Sequence, residues 1–97
     1  MGDLEDVTLD YRVAFQRFLP RRSEAALTDG YDLGRRAIVQ GVSLLELVRV
    51  HHLVLAEVLD DTPHEEVTHV TAAASDFLLE VLATFDMTHR RLRAPSD

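Results

Sequence analysis

The chain has 97 residues, of which 46% are hydrophobic and 28% are charged, a balance typical of one small globular domain. It contains no cysteine, which excludes disulfide scaffolds, thiolate metal sites and cysteine nucleophiles. The formal net charge of −7 disfavours binding to nucleic acid or anionic lipid. Because no apolar run could span a membrane and the N-terminus lacks the basic region of a signal peptide, we predict a cytoplasmic protein without membrane contact.

The first predicted helix runs from about Asp3 to Leu19 and is stopped by Pro20. Its apolar residues at helical spacing form one stripe: Leu4, Val7, Tyr11, Ala14, Phe15 and Phe18. Leu9 and Val13 lie on the opposite side, which indicates a second contact surface.

The second predicted helix begins near Ser23, a favourable N-cap, and ends around Gln40, followed by Gly41 for a left-handed turn. Gly30 and Gly34 lie inside this helix, where each costs about 1 kcal/mol relative to alanine. Glycines at this spacing let another backbone approach closely. We favour close packing between helices as the reason, and a groove that faces a partner is the alternative.

The third predicted helix opens with a capping box from Ser43 to Glu46 and runs to about Leu59. Its apolar residues cover about half of the helix circumference, and Val50 and Leu53 lie outside even that arc. Because one neighbouring helix cannot cover so wide a stripe, we predict that this helix is central and that part of it contacts a second molecule.

The fourth predicted helix opens with a second capping box, from Thr62 to Glu65, and its helical spacing continues to Arg93. The linkers between the helices are short, which predicts antiparallel packing of neighbours. The predicted fold is therefore all-α, a four-helix antiparallel bundle-like domain over residues 1–93, with 94–97 as the start of a linker or a tail.

The histidines do not have the spacing of a metal site. His64 and His69 resemble part of a zinc-protease motif, but their separation of five residues places them on different faces of a helix. His51 lies in the middle of the third helix's apolar face, where we expect a hydrogen-bonded core or interface histidine. No combination of nucleophile, base and oxyanion-binding group is recognisable. We therefore predict no catalytic residue, no metal, no cofactor and no enzymatic activity in this chain.

Three strings of the chain resemble, in the same order, the N-terminal domain of RsbU-type phosphoserine phosphatases, which are bacterial stress-response regulators. They are YDLGRRA at 31–37, GVSLLELVRVHH at 41–52 and FLLEVLATFDMTHR at 77–90. The resemblance covers roughly Phe15 to Arg93, which is most of the chain.

The resemblance implies a helical domain that forms a homodimer and binds an RsbT-like switch kinase. In that family the kinase activates a PPM-type, metal-dependent serine phosphatase domain, which dephosphorylates an anti-anti-sigma factor and so releases a stress sigma factor. The acidic metal-binding motifs of such a phosphatase are not recognisable in these 97 residues. The sequence is therefore either a fragment of a longer protein, which we expect, or a protein that kept only the regulatory module. The alternative function is that of a signal-relay module in a PAS-containing sensor protein or histidine kinase.

Candidate contact residues fall into three groups. Partner docking is assigned to the second helix, because tyrosine and arginine are favoured interface anchors; the residues are Tyr31, Arg35 and Arg36. Dimer contacts are assigned to exposed apolar positions: Leu9, Val13, Val50 and Leu53. The end of the fourth helix is either an output segment that transmits the signal or a frayed terminus. The output candidates are Phe85, Met87, His89 and Arg90.

Overall fold

The computed structural model describes the backbone of residues 3–93 and the side chains of residues 4–88. Within this part of the chain the secondary structure is entirely helical, which confirms the predicted all-α class. The helices are α1 (Asp3–Phe18), α2 (Glu24–Val39), α3 (Leu44–Asp60) and α4 (Val67–Arg93), with a short 3-10 helix (His64–Glu66) before α4.

Serine caps define the starts of α2 and α3, as predicted. The Ser23 hydroxyl accepts a hydrogen bond from the Ala26 amide at 3.1 Å. At α3 the capping box is complete, because the Ser43 hydroxyl accepts from the Glu46 amide at 3.1 Å and the Glu46 carboxylate accepts from the Ser43 amide at 3.0 Å. These bonds satisfy amide groups that a helix N-terminus otherwise leaves unpaired.

The capping box predicted from Thr62 to Glu65 is wrong. The Thr62 hydroxyl donates instead to the Val58 carbonyl of α3, at 2.6 Å. A threonine hydroxyl can bond to a carbonyl one turn earlier, and here this local bond competes successfully with capping of the next helix. The chain then forms the 3-10 helix, and α4 begins only at Val67.

An aromatic cluster forms the centre of the core. Tyr11, Phe15 and Phe18 of α1 surround Phe77 of α4, with ring centroids 5.2, 5.6 and 5.6 Å from that of Phe77. All four side chains are buried, and burial of each contributes roughly 1.5–3 kcal/mol to the free energy of unfolding. The predicted stripe of α1 is therefore confirmed, except that Leu4 at its start remains exposed.

The most extensive helix pair is α2 with α4, and the two glycines of α2 make it possible. A Cβ atom at Gly30 would lie 3.0 Å from the Phe77 ring. One at Gly34 would overlap the Thr84 hydroxyl and lie 2.5 Å from the Val81 carbonyl oxygen. The glycines therefore serve close helix packing, and α4 fills the space that a partner-facing groove would have needed.

The helix directions are consistent with the predicted antiparallel packing of helices that follow one another in the chain. The α1–α2 pair is antiparallel, because Asp10 contacts Arg36 whereas the later Arg17 contacts the earlier Asp29. α2 and α4 are two helices apart in the chain and run parallel, as alternating directions require, since Gly30 and Gly34 meet Phe77 and residues 81–84 in the same order. The two glycines let this parallel pair approach closely.

The prediction that α3 is central is wrong. This helix packs mainly against α1 and α4 and lies at the edge of the bundle. It buries Leu47, Val50 and Val54, whereas other large apolar residues remain exposed. The exposed ones are Leu44, Leu45, Val48 and Leu53. The wide apolar arc therefore reflects one buried side with apolar residues exposed around it, because α2 and α4 already occupy the centre.

Candidate functional site

An open groove of about 790 Å³ runs between the outer sides of α1 and α2. Its exposed apolar residues are Leu9, Val13 and Val39. Three aspartates and three arginines also line it: Asp10, Asp29, Asp32, Arg17, Arg35 and Arg36. Their formal charges cancel, so this face is neutral on a chain whose net charge is −7. Leu9 and Val13 were predicted as dimer contacts and the two α2 arginines as partner contacts; the structure brings them to one groove.

The arginines of α2 differ in their bonding. The Arg36 guanidinium is 2.9 Å from an Asp10 carboxylate oxygen and so holds α2 against α1. This pair is exposed, and such pairs contribute about 1 kcal/mol or less. Arg35 is exposed and forms no ion pair with the described residues. Of the two, Arg35 is therefore the arginine available to a partner.

Tyr31 does not line the groove. Its side chain is half-buried on α2, and its hydroxyl donates to the Met87 sulfur of α4 at 3.6 Å. The three α2 candidates are thus divided between two surfaces, with Arg35 and Arg36 towards α1 and Tyr31 towards the end of α4. Tyr31 and Arg35 are nevertheless one turn apart on the same helix, so the two surfaces adjoin at these residues.

Three of the four dimer candidates are exposed, and they lie on the two helices that one ion pair joins. Leu9, Val13 and Leu53 are each about half exposed. Arg12 of α1 donates to Glu57 of α3 through two parallel hydrogen bonds, of 2.9 and 3.1 Å. Since Leu9 lies one turn before Arg12 and Leu53 one turn before Glu57, apolar side chains of both helices lie near this pair. We call Leu9, Val13 and Leu53 the seam surface.

Val50 does not belong to the seam surface, contrary to its predicted place outside the buried arc. Its side chain is only 5% exposed and belongs to the core of the same chain. On a helical wheel Val50 lies next to the buried Val54 and Leu47, so the core-facing side of α3 is centred differently from the predicted arc. An interface contact at Val50 would therefore require the core to open.

His51 is hydrogen-bonded, as predicted for a core or interface histidine, and it lies half-buried beside the core residue Tyr11. Its Nδ1 lies 2.7 Å from the Tyr11 hydroxyl, and the two rings are in edge contact. Burial lowers the pKa of His51, and the neighbouring His52 adds to this effect; burial also raises the pKa of Tyr11. The protonated Tyr11 hydroxyl therefore donates to neutral His51, whose own ring proton we assign to Nε2.

The two histidines that resemble part of a zinc-protease motif occupy positions within the helical framework. His64 lies in the 3-10 helix, and the Nε2 of His69 is 3.2 Å from the Leu19 carbonyl oxygen. Among residues 4–88, no three histidine, aspartate or glutamate side chains converge as metal ligands. In the same part of the chain, no helix combines the length and apolarity that a membrane crossing requires.

The output candidates lie along the last turns of α4. Phe85 is half-buried against the core, and Met87 is exposed. The backbone of His89 and Arg90 is helical, but their side chains lie outside the described residues. Within the described backbone, α4 continues without a break to Arg93.

Two features of these surfaces were not predicted from the sequence. The Tyr31–Met87 contact joins residues that were assigned to different roles, and no spacing rule relates positions 56 residues apart. Leu79 lies on a different side of α4 from the buried Phe77 and Val81 and is exposed in the structure. Its position off the helical period was the signal that could have identified it.

These features define a class of protein: a small all-α domain with an open groove between α1 and α2 and exposed apolar residues beside it. The family model described as "Phosphoserine phosphatase RsbU, N-terminal domain" matches residues 9–88. The chain belongs to this family, which confirms the resemblance seen in the three strings. It is thus a regulatory N-terminal domain of RsbU type, distinct from the catalytic phosphatase domain. No curated protein and no solved structure matches the chain.

Proposed function

We propose that the chain is a homodimeric, non-catalytic docking domain that binds an RsbT-like switch kinase in the cytoplasm. Kinase binding controls a metal-dependent serine phosphatase domain of the same protein and thereby a stress sigma factor. The observation that carries this proposal is the family match over residues 9–88, which includes both the seam surface and the outer side of α2.

The dimer is assigned to the seam surface. Leu9, Val13 and Leu53 expose apolar area around the Arg12–Glu57 pair, and exposed apolar patches are typical of interfaces. The adjoining groove is neutral, so two copies of an acidic chain can meet there with little repulsion. A two-fold interface requires a self-complementary surface, and balanced aspartates and arginines supply it.

Kinase docking is assigned to the outer side of α2, from Arg35 to Tyr31. Arg35 has no ion pair within the described chain, so an acidic group of the partner gains a guanidinium without breaking an internal bond. Tyr31 lies one turn before Arg35 on the same helix and already contacts α4. A partner seated there acts on α2 and on the end of α4 together.

The output is assigned to the end of α4. Phe85 anchors this segment on the core, whereas Met87 beyond it is exposed. Few core contacts make a helix end inexpensive to order or release, as a switch requires. In a dimer the two ends of α4 would set the distance between the domains that follow them.

The test is titration of the chain with an RsbT-type kinase by isothermal calorimetry. Arg35→Ala should weaken binding by roughly tenfold, since truncated interface anchors commonly cost 1–2 kcal/mol. Arg21→Ala is the matched control, because Arg21 is also an exposed arginine but lies before α2. Absence of binding by the unaltered chain would contradict the proposed function. Equal binding by both variants would contradict the role of Arg35, provided that circular dichroism shows unchanged helicity.

A further inference from the structure

Met87 combines an exposed thioether with a hydrogen-bond donor that already contacts it. Its side chain is 53% exposed, and the Tyr31 hydroxyl donates to its sulfur at 3.6 Å. The chain contains two methionines and no cysteine, so no thiol of this chain competes for an oxidant. Accessible thioethers are the side chains that peroxides oxidise when thiols are absent.

We propose that Met87 is a site of reversible oxidation, at which a peroxide converts the thioether into a sulfoxide that the Tyr31 hydroxyl binds. A lone pair of the sulfur attacks the terminal peroxide oxygen, and the sulfur–oxygen bond forms as the oxygen–oxygen bond breaks. The sulfur loses two electrons and the peroxide is reduced. The proton of the transferred oxygen passes to the leaving oxygen, which departs as water when the oxidant is hydrogen peroxide.

The Tyr31 hydroxyl favours the oxidised form of Met87 because the sulfoxide offers it a better hydrogen-bond acceptor. A thioether sulfur is a weak acceptor, whereas a sulfoxide oxygen is a polar group with strong accepting capacity. The hydroxyl is already within bonding distance of the sulfur, so a small rotation brings it to an oxygen on that sulfur.

The place of Met87 in the fold gives this modification a consequence. Met87 lies near the C-terminal end of α4, and Tyr31 lies on α2, so a stronger bond between them ties the end of α4 to α2. The modification itself follows from exposure and geometry. Its effect on signalling rests on the proposed function, because only there do α2 and the end of α4 act as docking surface and output.

The test treats the whole chain with hydrogen peroxide and follows Met87 by peptide mass mapping. We expect Met87 to gain one oxygen atom, which a methionine sulfoxide reductase then removes as water while a dithiol reductant is oxidised to a disulfide. Amide hydrogen exchange over residues 81–88 is the second measurement. In the oxidised chain these amides should exchange about fivefold more slowly than in oxidised Tyr31→Phe, the factor that one ordinary hydrogen bond provides. Met87→Leu is the control for oxidation elsewhere, and it should show no peroxide-dependent change in this segment.

Met87→Gln, alone and combined with Tyr31→Phe, gives a second route, because glutamine places a carbonyl oxygen near the position of the sulfoxide oxygen. The same difference in exchange is expected between these two chains. Failure of Met87 to oxidise while free methionine in the same solution does so would overturn the proposal. Equal exchange in the oxidised chains with and without the Tyr31 hydroxyl would also overturn it. Both measurements use the chain without any partner, so their failure is distinguishable from failure of kinase binding.

Discussion

At the scale of single residues, the His51–Tyr11 bond shows how a polar pair is accommodated in a small core. Tyr11 is fully buried, and its hydroxyl has the acceptor that burial requires in the Nδ1 of His51, at 2.7 Å. The bond joins α1 to α3, which has only a narrow buried side of its own. The pair therefore contributes to the position of α3 as well as to the satisfaction of two polar groups.

The first prediction concerns pH. Burial lowers the pKa of folded His51 below its ordinary value of 6.5, so the unfolded chain binds more protons between these two values. The His51 contribution to the free energy of unfolding is therefore fully present above the ordinary pKa and is lost as the pH falls through that interval. Urea unfolding of the wild type and of His51→Asn, at several pH values from about 7.5 down to about 5, measures this difference. Parallel stability profiles for the two chains would contradict it.

The second prediction concerns the glycines of α2. Gly34→Ala should lower the free energy of unfolding by about 1–3 kcal/mol, because its Cβ meets the Val81 carbonyl as well as the Thr84 hydroxyl. Gly30→Ala should cost less, since its Cβ meets only the Phe77 ring, at 3.0 Å. Ala25→Gly, at an exposed position of the same helix, isolates the helix propensity, worth about 1 kcal/mol. Chemical denaturation measures all three, and stabilisation by Gly34→Ala would show that α2 and α4 are less closely packed.

At the scale of helices, two similar sequence patterns have different outcomes. Ser43 and Glu46 form the capping box of α3, whereas Thr62 and Glu65 form none, because the Thr62 hydroxyl bonds back to the end of α3. Pro63 is the cap residue of the 3-10 helix but supplies no side-chain hydrogen bond. The start of α4 consequently depends on packing of its apolar side more than on a local cap.

The third prediction uses the two glutamates as a matched pair. Glu46→Ala removes a carboxylate that accepts from the Ser43 amide and should cost about 1 kcal/mol of stability. Glu65→Ala removes an exposed carboxylate without such a bond, and its effect should be about 0.5 kcal/mol or less. Thermal and urea unfolding of both variants provide the comparison. An equal loss from both would show that the second capping box forms in solution.

At the scale of the whole molecule, the surfaces are arranged around α1 and α2. The seam surface and the groove lie on the outer side of α1, and the Tyr31–Met87 contact lies where α2 meets α4. The proposed dimer contacts Leu9 and Val13 and the proposed docking residue Arg35 therefore border the same groove, whereas Tyr31 lies on the side of α2 that faces α4. The Arg12–Glu57 pair links α1 to α3 beside the seam surface, and its hydrogen bonds lower the pKa of Glu57.

The fourth prediction concerns the oligomeric state. Leu9→Asp should convert the proposed dimer into a monomer, because a desolvated carboxylate at an apolar contact is unfavourable. Leu79→Asp is the control, since Leu79 is an exposed leucine of α4 outside the seam surface. Light scattering over a range of micromolar concentrations measures the mass of each chain. Dissociation by the control alone would place the interface on α4, and a monomeric wild type would contradict the dimer itself.

The sequence by itself determined the four helices, the serine caps and the apolar stripe of α1, because these depend on hydrogen bonds and spacing within one turn or one helix. The three strings also identified the family, since they occur in order across most of the chain. Neither the local patterns nor the three strings could show which helices pack together when these are distant in sequence. The parallel approach of α2 and α4 depends on Gly34 meeting Thr84, and the edge position of α3 depends on the centre being already occupied. Val50 and Leu53 are three residues apart on one helix. The way in which α3 packs at the edge of the bundle buries the first and exposes the second. Competition between apolar faces for the same core is a property of the assembled molecule, and only the tertiary structure could settle it.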